Sequence, residues 1–198
     1  MNGFVDLAKV ALEINSSLWQ ISESEGEPVL QIAGNEQEDH IGGKVALIND
    51  VRRNYTMRAE IRFLGHHLSQ ERAGWFGFVM RAQDAQNYEL IWFMPNAESG
   101  KTAAYLPVAH GVVPWWTEAY ATRQKGEPRI PVDAWFQARV DVVDDEFTLY
   151  VEDQFVFTKK FTYYLSEGRP GFYVGTATDA AFRRVMIEDL PQRPVDGA

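Results

Sequence analysis

The sequence contains no cysteine, which excludes disulfide bonds, thiolate zinc sites, iron–sulfur clusters and cysteine nucleophiles. It has no run of about 18 apolar residues that would span a membrane. At the N-terminus, Asp6, Lys9 and Glu13 interrupt any signal-peptide pattern of a basic stretch followed by an apolar one. A chain without cysteine can work in either redox environment, so the sequence leaves the compartment of the protein open.

Basic residues are also scarce: 19 Lys and Arg stand against 28 Asp and Glu, for a net charge of −9. No basic run is longer than two residues. Nucleic acids and anionic membranes are bound by clustered Lys and Arg, so we expect neither as a partner. The acidic residues are dispersed along the chain, which favours solubility over a specific role.

Aromatic residues, by contrast, are abundant at 13% of the chain, and they concentrate in residues 75–95, WFGFVMRAQDAQNYELIWFMP. Two apolar runs flank a polar tetrad at 83–86, which predicts a β-hairpin. Symmetric pairing about the turn would put Arg81 opposite Tyr88, Val79 opposite Leu90 and Gly77 opposite Trp92. Both faces are mostly apolar, so we expect the hairpin to lie centrally in a sheet that a second sheet covers on one side.

Residues 55–63, YTMRAEIRF, and 135–143, WFQARVDVV, alternate between apolar and polar side chains, as strands with one buried face do. Residues 4–14 fit either a short amphipathic helix or an irregular edge segment, and a long connection spans 110–132. Further short strands are predicted at 19–22, 29–33, 44–48, 103–108, 147–151, 155–158, 172–175 and 181–188. The sequence therefore predicts an all-β antiparallel β-sandwich over residues 1–190, followed by a flexible tail at 191–198.

Three segments carry a resemblance to known proteins: GFVMRAQDAQNYEL, WFQARVDVVDDEFTLYVEDQFV and the closing GRPGFYVG with AAFRRVMIEDL. Their order resembles the concanavalin A-like lectin/glucanase superfamily, especially its laminin-G-like and 3-keto-disaccharide-hydrolase-type domains. The resemblance implies a jelly roll with little helix, in which ligands lie on a concave sheet face or at its rim. Such folds host lectins, hydrolases, lyases and adhesion modules alike, so function must be argued from the site.

Catalytic motifs of this superfamily are incomplete in the sequence. The paired-acid strand E-x-D-x-x-E of jelly-roll glucanases is absent, and the acidic runs at 36–39 and 144–146 fall in turn-like contexts. Arg58, Glu60 and Arg62 form the R-x-E-x-R pattern of alginate-lyase-type domains, but the Q-x-H and Y-K-x-G-x-Y partners are missing. Alternating Arg and Glu on a strand more often form surface ion pairs.

Metal-binding signals are weak. The four histidines show no ligand spacing and are expected in exposed loops: His40, His66, His67 and His110. The resemblance allows a calcium ion, for which Glu38, Asp39 and Asp189 are the candidate ligands by analogy. We expect no other cofactor.

Aromatic and Arg side chains near the hairpin and the long connection are the best candidates for ligand contact, because sugar rings stack on aromatic rings while Arg donates hydrogen bonds to hydroxyls. The predicted ligand-binding residues are Arg81, Trp92, Tyr105, Trp115, Trp116, Tyr120 and Arg139. The alternative is that these rings belong to the core or cover a sheet edge.

Three functions remain open at this point. The first is non-catalytic, lectin-like binding of an oligo- or polysaccharide. The second is a saccharide hydrolase or lyase, for which residues 58–62, Glu89 and Glu118 are the best features. The third is a protein-interaction or adhesion module, in which a dimer would bury residues 115–120. The oligomeric state is not predicted.

Overall fold

Two antiparallel sheets form the protein. The structure, a computed structural model, describes residues 3–32, 43–66, 75–93, 95, 101–114, 122–125, 128–163 and 165–192, with the backbone alone for 66, 101, 102 and 122–125. None of the described residues forms a helix, and so none forms a helix able to cross a membrane. The predicted all-β sandwich is confirmed. Residues 4–14 are an irregular edge segment that ends in a short strand.

The front sheet contains the central hairpin, with strand order β1-β4-β13-β6-β7-β8-β9. Its strands are β1 (Leu12–Ile14), β4 (Lys44–Ile48), β6 (Phe76–Asp84), β7 (Asn87–Phe93), β8 (Lys101–Val108), β9 (Thr122–Lys125) and β13 (Arg169–Val174). The hairpin strands β6 and β7 are the fourth and fifth of seven, so the expected central position is confirmed.

The back sheet has the order β12-β11-β10-β5-β14-β3-β2. Its strands are β2 (Trp19–Ser24), β3 (Glu27–Ile32), β5 (Tyr55–His66), β10 (Trp135–Val143), β11 (Glu146–Val151), β12 (Gln154–Lys160) and β14 (Thr178–Asp189). The period of two in β5 and β10 is confirmed, because their apolar residues are buried while the residues between them are mostly half-exposed.

The core fills the space between the two sheets. Phe76 and Phe93 of the front sheet pack against Phe136 of the back sheet, with 5.3 Å between the ring centroids of Phe93 and Phe136. Phe172 and Phe182 join the sheets in the same way, at 4.6 Å. Each fully buried phenylalanine contributes about 1.5–3 kcal/mol to stability, so this aromatic layer is the main apolar link between the sheets.

The front sheet also carries apolar side chains on its outer face, which we call the outer apolar layer. Trp92 and Tyr173 belong to it, and Trp75 packs against it. The side chains of this layer are buried: Val45, Leu47, Val79, Ala82, Tyr88, Leu90, Trp92, Ala104, Leu106, Val108, Val113 and Tyr173. The front sheet is therefore apolar on both faces, whereas the back sheet is apolar only inside.

The hairpin register agrees with the symmetric pairing except near its turn. Val79 lies opposite Leu90 and Gly77 opposite Trp92, as predicted. The pairing of Arg81 with Tyr88 is wrong, because the register shifts between Met80 and Asp84. The turn itself is the pair 85–86 rather than the tetrad. A β-bulge adds residues to one strand only, so it breaks the symmetry that the prediction assumed.

Replacing Gly77 by alanine tests the close approach of β6 to β7. A Cβ at Gly77 would overlap the carbonyl oxygen of Ile91, which is backbone and cannot move without shifting the ladder. We expect Gly77→Ala to lower the free energy of unfolding by about 2–4 kcal/mol in urea titrations. Gly65→Ala in β5 is the control, since a Cβ there meets nothing within 4 Å. Equal losses in the two variants would contradict this packing.

Candidate functional site

The four predicted ligand-binding residues that the structure describes do not lie together. Arg81 and Tyr105 point between the sheets, Trp92 lies in the outer apolar layer, and Arg139 lies on the outer face of the back sheet. The other three predicted residues lie outside the described part of the chain: Trp115, Trp116 and Tyr120. The inward pair is the more informative, because it surrounds a buried carboxylate.

Arg81 is fully buried at the end of the sandwich where the hairpin turns. Its φ of 52° belongs to the bulge and directs the side chain inward instead of into the outer apolar layer. The guanidinium donates from Nη1 to the carbonyl of Leu165 and from Nη2 to that of Asp144, each at 2.7 Å. Its Cζ also lies 5.3 Å from the centroid of the Phe161 ring. One side chain thereby joins β6 to two separate connections.

Glu89 lies beside Arg81 and is also 0% exposed. Its Oε2 accepts a hydrogen bond from the Tyr105 hydroxyl at 2.7 Å, and its Oε1 accepts one from the backbone N–H of Tyr163 at 3.0 Å. The Tyr105 oxygen in turn accepts from the backbone N–H of Thr162 at 2.6 Å. Burial raises the pKa of Glu89 to about 7, although these hydrogen bonds and the charge of Arg81 act in the opposite direction.

Together, Arg81, Glu89 and Tyr105 hold the connection between β12 and β13. Arg81 binds Leu165, Glu89 binds Tyr163 and Tyr105 binds Thr162, so three side chains of the front sheet fix the backbone of one connection. None of them is exposed beyond 3%. Their role in this structure is to hold the β12–β13 connection, which we call the wall, in place; they offer no exposed surface to a ligand.

A cleft of about 240 Å³ lies against this wall at the tip of the hairpin. Its lining residues come from the hairpin, the end of β8 and the β12–β13 connection: Gln83, Asn87, Tyr88, Val108, Ala109, Tyr163 and Leu165. Tyr163 is 44% exposed, whereas Tyr88, which belongs to the outer apolar layer, is buried. The volume is below the ~300–1,000 Å³ of drug-sized ligand sites, so the cleft has room for a single small ring.

The polar groups of the cleft are held in place by the hairpin turn. Asn87 donates to the Asp84 carboxylate at 2.9 Å and accepts from the backbone N–H of His110 at 3.1 Å. Gln83 donates from Nε2 to the carbonyl of Glu167 at 2.9 Å. Sequence reasoning missed this cleft because Tyr163 follows β12 in a connection that has no periodic pattern.

Trp92 is closed to solvent in this arrangement. It is 7% exposed, and its ring centroid lies 5.9 Å from that of Trp75. Among the described residues its indole Nε1 has no hydrogen-bond partner. Stacking of a sugar on Trp92 would need the outer apolar layer to open, since a flat ligand requires a free ring face.

The R-x-E-x-R residues lie on the outer face of the back sheet, and two of the three are ion-paired. Glu60 accepts from Arg183 and from Arg184, both at 2.7 Å. Arg62 pairs with Asp133 at 2.6 Å. These charges are engaged with each other, as expected of alternating Arg and Glu on a strand.

The other carboxylate and histidine candidates do not converge in the described chain. The acidic run 144–146 is the β10–β11 turn, where Asp145 pairs with Lys160, and Asp189 pairs with Arg52. No group of three metal-ligating side chains occurs among the described residues. The run 36–39, His40, His67 and Glu118 lie outside them, and His66 is described by its backbone alone.

The buried Glu89 predicts a pH-dependent stability. The carboxyl has an ordinary pKa of 4.5 and titrates near 7 in the folded protein, so the unfolded chain releases a proton that the folded protein keeps. The contribution of Glu89 to stability is therefore greatest below pH 4.5 and is lost as the pH rises through 7. From pH 5 to 8 we expect a loss of about 2–3 kcal/mol. Glu89→Gln should remove most of this loss in urea titrations at the two pH values.

Glu167→Gln is the matched control, since Glu167 lies in the same connection and is exposed. That variant should keep the pH dependence of the unaltered protein. An equal fall in stability from pH 5 to 8 in the Glu89→Gln variant and the unaltered protein would contradict the role given to Glu89.

Comparison with known proteins identifies the fold. No protein-family profile and no curated protein matches the sequence. Among solved structures, the carbohydrate-binding module CBM66 from Bacillus subtilis is similar, with a TM-score of 0.61 and 17% identity over 88% of this chain and 98% of that one. A Bacillus subtilis protein of unknown function with a galectin-like fold has a TM-score of 0.63 and 12% identity, over 94% and 92% of the two chains.

The Bacillus licheniformis β-glucanase has a TM-score of 0.60 and 9% identity, over 96% of this chain and 97% of that enzyme. The TM-scores establish a shared fold. Because the sequence identities are this low, activity must be argued from the site. The fold expected from the three sequence segments is thus confirmed. The chain is a jelly-roll β-sandwich of two antiparallel sheets, with the fold of these solved structures.

Proposed function

We propose that the protein binds carbohydrate without chemical conversion, and that the cleft at the hairpin tip receives one sugar ring. The observation that carries this proposal is the half-exposed Tyr163 ring beside two amide side chains, Gln83 and Asn87. A sugar ring offers an apolar C–H face and a rim of hydroxyls. An aromatic ring with adjacent amides complements both.

The rigid wall favours binding by a preformed site. The backbone of Tyr163 is fixed by Glu89, and that of Leu165 by Arg81. A ligand therefore does not have to order this connection, and the entropy that ordering would cost is saved. Similarity in fold to a carbohydrate-binding module supports the same class of function.

Binding without catalysis is proposed because the described lining of the cleft contains no carboxylate. Glycoside hydrolysis uses two carboxyl groups on either side of the bond. Glu89 has the raised pKa of a general acid, which favours the hydrolase alternative. It is, however, fully buried, and both of its oxygens accept hydrogen bonds from the protein.

Removing the Tyr163 ring tests the proposal. We expect the unaltered protein to be retarded in affinity gels that contain glucan, xylan, mannan or fructan. Tyr163→Ala should weaken binding to the retarding polymer about ten-fold, which corresponds to a stacking contribution of ~1.4 kcal/mol. Phe4→Ala is the control, because Phe4 is 62% exposed and does not line the cleft.

Retention by none of the four polymers, or equal retention of Tyr163→Ala and the unaltered protein, would contradict saccharide binding at the cleft. Each polymer is also incubated with the protein and assayed for new reducing ends. Their release, if abolished by Glu89→Gln, would replace the binding function by the hydrolase alternative.

A further inference from the structure

Two arginines lie side by side on the outer face of the back sheet. Arg58 of β5 is directly opposite Arg139 of β10 in the ladder, and both are half-buried. Like charges at directly opposed positions destabilise a sheet. Such a pair lowers the stability of the sheet unless a nearby negative charge offsets the repulsion.

The compensation within the described chain is incomplete. Arg139 donates from Nη1 to Oδ2 of Asp141 at 3.0 Å, while the other oxygen of Asp141 accepts from Thr56 at 2.7 Å. The Nε of Arg139 is buried without a hydrogen-bond partner. The backbone of Arg58 belongs to the ladders with β10 and β14, but its guanidinium forms no hydrogen bond or ion pair with a described residue. Among the described residues, Asp141 is thus bound to Arg139, and Arg58 has no carboxylate within ion-pair distance.

The other arginines of this face differ from this pair. Arg62 pairs with Asp133, and Arg183 and Arg184 share Glu60 while each also binds a second glutamate. Among the described arginines of this face, Arg58 therefore differs in forming no ion pair, and Arg139 differs in having its single carboxylate partner and a like charge directly opposite.

An aromatic surface continues from this pair along the same row of the sheet. Arg139 lies opposite Tyr150 of β11 and stacks on it, with Cζ 3.8 Å from the ring centroid. Tyr150 in turn contacts Phe155 of β12, with ring centroids 6.2 Å apart, and Phe155 is 61% exposed. The row thus offers two cationic donors followed by an open apolar ring.

We propose that this row, Arg58–Arg139–Tyr150–Phe155, binds a sugar chain that bears a carboxylate, with the carboxylate between the two guanidinium groups and a neighbouring ring against Phe155. Guanidinium groups bind carboxylates through paired N–H donors. The carboxylate supplies a second negative charge beside the two arginines, in addition to that of Asp141.

The net charge of the protein narrows the ligand further. At −9 the molecule repels densely charged polyanions, whereas Arg58 and Arg139 place two positive charges side by side on this face. The row therefore suits a chain with occasional acidic sugars on a neutral backbone, such as a xylan that carries glucuronic acid. This site shares its class of ligand with the proposed function but does not depend on the cleft.

The test compares methyl β-D-glucuronide with methyl β-D-glucoside, followed by NMR of the arginine Nε–H groups and by calorimetry. Arg58→Gln and Arg139→Gln should each weaken glucuronide binding at least about ten-fold and change glucoside binding less than about two-fold. Arg62→Gln is the matched control on the same strand and face, and it should bind glucuronide normally. Because the Arg58 side chain loses no ion pair or hydrogen bond to a described residue, Arg58→Gln should fold at least as stably as the unaltered protein.

Tyr163→Ala separates this site from the cleft. It should leave glucuronide binding unchanged, so that failure of cleft binding alone would leave this inference standing. The inference is overturned if the unaltered protein does not bind the glucuronide, or if Arg58→Gln binds it normally. It is overturned as well if Arg58→Gln and Arg139→Gln weaken the binding of glucuronide and glucoside equally, or if Tyr163→Ala abolishes glucuronide binding.

Discussion

The buried guanidinium of Arg81 is the constraint on which one end of the sandwich depends. Burying a charge is costly unless hydrogen bonds compensate it, and here two backbone carbonyls accept from it, one at Asp144 in the back-sheet hairpin and one at Leu165. The bulge makes this possible, because the positive φ of Arg81 directs its side chain inward at a position where strand alternation would direct it outward. The two sheets are thereby joined by polar contacts at the same end where the Phe161 ring covers the guanidinium.

The candidate site follows from this internal anchor. Glu89 and Tyr105 lie on the inner side of the front sheet, and their hydrogen bonds end on the backbone of the β12–β13 connection. That connection supplies Tyr163 to the cleft. A surface on a loop is rigid only when buried contacts hold the backbone of that loop. Here Arg81 and Glu89 provide those contacts. The raised pKa of Glu89 is the electrostatic cost of this arrangement.

Sequence patterns predicted the sheets well because apolar alternation is set by burial. The β5 and β10 faces are as predicted, including the outward position of Arg139. The same reasoning failed for Arg81, since a bulge leaves no mark in a period of two and reverses the side-chain direction after it. The cleft was not predictable either, because Gln83 and Tyr163 are distant in sequence. Both line the cleft in the structure, where Arg81 and Glu89 hold the β12–β13 connection that contains Tyr163.

Exposure rather than ring size decides which aromatic residues of this fold can meet a ligand. The large rings of the central hairpin are enclosed: Trp92 is 7% exposed and Tyr105 is 3% exposed with its hydroxyl occupied. Open rings occur instead at the rim, where Tyr163 adjoins the cleft and Phe155 ends the arginine row. Stacking requires a ring face that water can leave; among these described rings, Tyr163 and Phe155 meet this requirement and the enclosed rings of the central hairpin do not.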